Sequence, residues 1–383
     1  MEKLRDPRVR AWIFQVVLLT LVVGSIYFLV SNTLENMARQ GISTGFSFLS
    51  DSAGFGVIMS LIDYQEADSY GRVFLVGLLN TLLVSGLAII IATFLGFAIG
   101  VARLSHNWLI RKWAAFYIES FRNIPLLLQI FFWYFAVLRP LPGPRQSISL
   151  GDTFFINNRG IYFPEPSLDS NGLWWLGIAL VAVVILFVFR HISHRRQVVT
   201  GSYLPMKSIT FAVLTSTLVI GLLVLGQPLS WELPELKRFN FVGGMVLIPE
   251  FIALLLALSL YTAAFIAEIV RAGIESVSSG QTEAAHALGL NRPMTLKLVV
   301  IPQALRVIIP PLTNQYLNLT KNSSLAAAIA YPDLVSVFAG TVLNQTGQAV
   351  EVIAITMAVY LTISLSIAAL MNAYNKRKAL VER

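Results

Sequence analysis

Long apolar runs separated by short polar connections dominate the chain. Runs of about twenty apolar residues, the length that crosses roughly 30 Å of hydrocarbon as a helix, lie near 12–30, 74–101, 114–138, 173–189, 208–226, 249–270, 302–320 and 351–372. The pattern predicts an all-α integral membrane protein of about eight transmembrane helices. The first run lacks a small-residue cleavage site of the A-x-A kind and reads as an uncleaved span. The seventh is interrupted by prolines and polar residues in IPQALRVIIPPLTNQYLNLTKNSSLAAAIAYPDLVSVFAG. It predicts a broken or kinked helix followed by a short surface helix, tolerable only against protein or a water-filled cavity. The connections at 31–72 and 139–172 are rich in Gly, Ser, Asn and Pro. They predict surface loops with short helices or turns, each too short for a domain with its own core.

Composition sharpens this picture. Only 13% of residues are charged and the mean hydropathy is +0.71, against about 25% charged in an average soluble domain. The net charge of +8 raises the question of nucleic acid, but the basic residues flank the spans. Counted over alternate connections, 19 Lys and Arg fall on one side and seven on the other. By the positive-inside rule the richer side, with both termini, is cytoplasmic, and no nucleic-acid partner is expected. With no cysteine, the chain can form no disulfide, thiolate metal site or cysteine nucleophile.

Several chemistries are missing. There is no G-x-x-x-x-G-K-[ST] phosphate cradle, no dinucleotide fingerprint, no H-E-x-x-H pair and no G-x-S-x-G elbow. His106, His191, His194 and His286 read as solvated loop residues. We therefore expect no catalytic residue, no metal site and no cofactor bound by this chain. If it moves solute uphill, the energy comes from an ion gradient or from another chain.

The connection EAAHALGLNRPMTLKLVVIP, residues 283–302, is more than a linker. Ser278, Ser279 and Gly280 are N-cap candidates, Glu283 falls in the first turn, and Gly289 stands where a left-handed C-terminal cap belongs. These signals predict a helix over Gln281–Leu288, too short to be stable alone in water. Ala284, Ala285 and Leu288 form a small apolar strip for docking. Asn291 caps a second helix, with Pro293 in its first turn.

This stretch resembles the EAA loop of permease subunits of binding-protein-dependent ABC importers. Glu283, Ala284, Ala285, Gly289 and Pro302 match the pattern at its spacings, while Val299 and Ile301 replace the usual isoleucine and leucine. Further stretches are similar to the polar amino acid branch: 78–105, FRNIPLLLQIFFWYF (121–135), 261–285 and NLTKNSSLAAAIAYPDL (318–334). The enlarged plan resembles the permeases of general L-amino acid transporters. The resemblance implies a type I importer permease core, MetI-like, with three added spans. It divides the chain into 1–71 (tail, first span, periplasmic loop), 72–138 and 246–375 (permease core), 139–245 (inserted segment with two spans) and 376–383 (basic tail). It implies that Glu283, Ala284, Ala285, Leu288, Gly289 and Pro302 couple to an ATPase subunit. The partners it implies are two copies of that ATPase, which uses ATP and Mg, a second and different permease chain, and a periplasmic amino-acid-binding protein. An L-amino acid would be the substrate and the bacterial inner membrane the location.

Polar residues inside spans are costly and mark pathways or partners. Glu119 and Arg122, three apart, are expected to pair, or Arg122, Asn123 and Gln129 line the pathway. Glu268 and Arg271 read as an anchoring pair, and Gly96 and Gly100 as close helix packing. Asn318, Lys321, Asn322 and Ser323 are candidates to line a substrate cavity, Lys321 facing a carboxylate and the amide and hydroxyl oxygens an ammonium. Two rival readings stay open: an ion-driven carrier using Glu119 or Glu268, and a scaffolding chain whose partner holds the substrate.

Overall fold

The computed structural model describes residues 7–39, 45–151, 153–168, 172–202, 204–225 and 229–378. Lys3 and Arg5 of the N-terminal tail and Arg383 of the C-terminal tail lie outside them. The helices are α1 (Pro7–Arg39), α2 (Tyr70–Arg103), α3 (Trp108–Asn123), α4 (Leu126–Phe131), α5 (Gly172–Thr200), α6 (Met206–Leu225), α7 (Pro249–Glu275), α8 (Ser279–Ala287), α9 (Arg292–Thr295), α10 (Ile301–Asn322), α11 (Leu343–Thr346) and α12 (Ala349–Lys378). Seven helices or helical runs are long and apolar enough to cross a membrane, and α3 with the Leu126–Leu138 segment makes an eighth if the bent pair is one span. The chain forms two compact units, Met1–Tyr134 with Ala253–Arg383, and Phe135–Ile252.

In the first unit α2 and α7 pack at backbone distance. A methyl group added at Gly96 would sit 2.6 Å from Ile266 Cβ, and one at Gly100 would sit 2.7 Å from the Ala267 carbonyl oxygen. Small residues thus let two membrane helices touch, as their spacing predicts.

The third apolar run is broken in two. Its halves are bent by 104° at Ile124–Pro125, where proline has no N–H to offer the ladder. The side-chain amide of Gln129 closes the gap, its Nε2 donating to the carbonyls of Phe121 and Ile124 at 2.9 Å each.

The seventh run departs from expectation in the other direction. α10 passes unbroken through Pro310 and Pro311, although each removes a ladder bond. The break comes later, after a 3-10 stretch at Ser323–Ile329 that ends on Ala330 in the left-handed region (φ +58°). The π-helical segment Leu334–Val342 that follows is not a surface helix, for Leu334, Phe338 and Val342 are fully buried. They join Phe48, Tyr70 and Val73 in one apolar cluster.

The second unit contains α5, α6 and the eight short strands of the described chain. β1 (Ile148–Leu150), β2 (Phe154–Asn157), β3 (Gly160–Phe163) and β8 (Met245–Leu247) make an antiparallel sheet in the order β1-β2-β3-β8. β4 (Glu165–Leu168) pairs with β5 (Leu229–Glu232), and β6 (Glu235–Lys237) with β7 (Asn240–Val242). Phe155 and Tyr162 stack on Phe241 at centroid distances of 4.6 and 4.8 Å. The chain is mostly helical as expected, but the loop expectation at 139–172 misses this β-structure. That connection holds no core alone; its strands pair with those at 229–247, beyond the α5–α6 hairpin.

Candidate functional site

Two features of the first unit carry the sequence-derived site residues. The first is the segment from Ser278 to Pro302. Ser278 caps α8, its Oγ accepting from the Gly280 N–H at 3.3 Å. Gly289, at φ +80°, ends the helix. There the Leu290 N–H reaches the Ala285 carbonyl at 3.1 Å and the Gly289 N–H that of His286 at 2.9 Å, a left-handed Schellman closure. Asn291 Oδ1 accepts from the Met294 N–H at 3.0 Å and caps α9. A π turn over Leu296–Val300 then leads into α10, so Pro302 stands in the first turn of that helix.

Two details correct the sequence reading. The helix begins at Ser279, two residues early, so Glu283 lies beyond its first turn. Nor do the three strip residues share a face: Ala285 is buried at 3% exposure against its own chain, while Ala284 is exposed and Leu288 is 82% exposed. Beneath the loop lies a cavity of about 280 Å³ lined in part by Ile274, Thr282, His286 and Leu296. The loop is also tied laterally. Gln303 Nε2 meets Gln281 Oε1 at 3.3 Å, and Arg292 Nη2 lies 2.9 Å from His106 Nε2. α8 is thus held from below and presents Glu283, Ala284 and Leu288 outward.

The second feature is the outward face of α10. Asn314, Asn318 and Lys321, at helical spacing, are exposed, and Asn322 is half-buried. Ser323 instead turns inward, fully buried, with its Oγ donating to the Thr320 carbonyl at 2.7 Å. The α3 candidates split likewise. Arg122 and Asn123 are exposed, whereas Gln129 is the brace across the break. The expected Glu119–Arg122 ion pair is not among those of the described residues. Arg122 lies over the Phe265 ring of α7 instead, 5.2 Å from its centroid. Glu268 and Arg271 do pair, at 2.6 and 3.1 Å, and Arg271 also reaches Glu275.

The structure adds a polar knot that the candidate residues omit. On α2, Asn80 Nδ2 donates to the carbonyls of Met59 and Pro332 at 2.9 Å each, and Thr81 Oγ1 accepts from the Leu334 N–H at 3.0 Å. The Tyr331 hydroxyl donates to the Asn80 carbonyl at 3.1 Å. Asp333, fully buried, caps the following helix through the Ser336 N–H at 2.8 Å and meets the Tyr360 hydroxyl at 3.5 Å. The adjacent Asn80 and Thr81 in an otherwise apolar span were the available signal. Burial lifts the Asp333 carboxyl to about 7, against the pull of the Ser336 and Val335 N–H groups and the Tyr360 hydroxyl.

Residues 88–380 match the model of the family described as "Binding-protein-dependent transport system inner membrane component". The chain is 57% identical over 378 residues to the "Putative amino-acid ABC transporter permease protein YhdX" of Escherichia coli, covering 99% of this chain and 96% of that one. It is 49% identical over 384 residues to the "General L-amino acid transport system permease protein AapQ" of Rhizobium johnstonii, covering 99% and 94%. A solved structure titled "Crystal structure of an amino acid ABC transporter with histidines" is similar at 23% identity and a TM-score of 0.47, over 80% of this chain and 95% of that chain.

Proposed function

The chain belongs to the binding-protein-dependent transport system inner membrane components, multi-pass transport subunits, and from that premise we propose that it is the amino acid permease of an ATP-driven importer whose ATPase docks on α8. The observation that carries the docking is the outward face of α8. A capped helix of nine residues, too short to be stable alone in water, presents Glu283, Ala284 and Leu288 on its exposed side. Relatives named for amino-acid transport, aligned over nearly the whole chain, support the substrate class.

In this reading two ATPase copies bind ATP and Mg, and a second permease faces this one across the pathway. A periplasmic binding protein delivers the amino acid, and both termini are cytoplasmic. Asn318, Lys321 and Asn322, with Arg122 and Asn123, are the pathway residues. Lys321 attracts the substrate carboxylate, and the amide oxygens accept from its ammonium. ATP must bind one conformation more tightly than the other, since a ligand shifts an equilibrium only by its differential affinity. α8 is the part that feels the difference, because its caps and the Gln281–Gln303 contact transmit a push to α10 rather than absorb it.

The test is Leu288→Asp. Burying a leucine is worth about 1.5–3 kcal/mol, so we expect roughly tenfold or greater loss of ATPase co-purification with unchanged folding of the permease. Full ATPase association by the folded variant would overturn the proposal.

A further inference from the structure

The two added spans carry a feature that the transport reading does not use. α5 and α6 form a hairpin whose flanks are apolar and open: Val183, Phe187, Phe211 and Leu223 are all more than 60% exposed. At one end, a cavity of about 470 Å³ is lined by Arg190, His191, Ser193 and His194 of α5 and by Met206 at the start of α6, with Phe187 toward the apolar flank.

The charge around it is one-sided. From Ser170 to Trp231 the sequence contains no Asp or Glu, while Arg190, Arg195, Arg196 and Lys207 crowd into 190–207. All four are exposed, and none takes part in an ion pair among the described residues. Arg190 and His194 stand four apart on one helical face, so the polar lining sets a guanidinium beside the imidazoles of His191 and His194 and is rich in donors.

We propose that this cavity binds the headgroup of an anionic phospholipid, its phosphate at Arg190 and His194, with Lys207 one residue beyond the lining Met206, and its acyl chains along the Phe187 flank. A phosphate gains from converging guanidinium and ammonium groups. A basic hollow between membrane helices whose lining runs into the exposed Phe187 suits a lipid better than a free anion, which would leave that apolar flank bare. The leaflet depends on the proposed orientation, whereas the site does not. A failure of the transport reading would therefore leave lipid retention unchanged.

The experiment is native mass spectrometry of the complex extracted in mild detergent, wild type against Arg190→Gln combined with Lys207→Gln. Each positive charge near an anionic surface is worth about fivefold in affinity, so the variant should retain at least tenfold less phosphatidylglycerol. Equal retention, or equal retention of phosphatidylcholine by the wild type, would overturn the assignment. Because removing basic residues beside spans also perturbs insertion, thermal unfolding of the wild type with added lipid gives an independent reading. Phosphatidylglycerol should raise the unfolding temperature, and phosphatidylcholine and inorganic phosphate should not. An equal rise with phosphate would mark a generic anion site, and a protein chain held at 190–207 in place of lipid would mark a subunit contact. Either result rejects the proposal.

Discussion

At the scale of single residues, the polar groups inside the spans separate into those that hold the chain together and those that face outward. Gln129 belongs to the first class. Gln129→Leu would leave the Phe121 and Ile124 carbonyls unpaired and cost about 1–3 kcal/mol, read as a lower unfolding temperature in detergent. Lys321→Ala and Asn318→Ala remove exposed groups and should leave that temperature unchanged. If they line the pathway, substrate-stimulated ATP hydrolysis should fall at least tenfold. Unaltered stimulation in both would remove them from the pathway. Asp333 gives a pH signature. Its carboxyl sits at about 7 when folded, against 3.8 as the ordinary value. Between these values the folded chain holds one proton more than the unfolded chain, so its stability declines as pH rises through that window. Asp333→Asn should flatten the unfolding temperature between pH 4 and 7, and an unchanged slope would assign the titration elsewhere. The sequence marks Gln129, Lys321 and Asn318 as polar residues in apolar surroundings. It does not say which is braced, because the acceptors of Gln129 exist only once the chain bends by 104°.

At the scale of elements, local rules carry far where the partners are local. The caps at Ser278, Gly289 and Asn291 are legible because every atom involved lies within five residues. Which face of α8 is buried is not legible, because that depends on α9 and the turn before α10. The glycine pair on α2 is legible as a small-residue seam, although its partner on α7 is not. Gly96→Val should cost about 1–3 kcal/mol by overpacking and lower the yield of folded protein, whereas Gly86→Ala, which meets nothing within 4 Å, should be tolerated. The seventh span misled in a physical way. Its prolines advertise a break at 310–311, yet the chain turns at Ala330, where the polar knot on Asn80 and Thr81 fixes the next segment.

At the scale of the whole molecule, hydropathy reads the spans and the basic residues predict an orientation. The absence of native cysteine makes the orientation directly testable. Ser202→Cys should react with a membrane-impermeant maleimide only after lysis, and Ser149→Cys in intact spheroplasts; the opposite pattern would invert the topology. The β-structure escapes such reading because its strands are three or four residues long and two of its pairings, β3 with β8 and β4 with β5, join segments far apart in the chain. That separation also sets an order in time. Tyr162 of β3 pairs with Val246 of β8, so the sheet edge waits while the ribosome makes both intervening spans. At 5–20 residues per second this is an interval of roughly 4–17 s, during which an open strand edge can pair with the wrong chain. The insert is therefore a part of this protein whose assembly depends on the speed of synthesis.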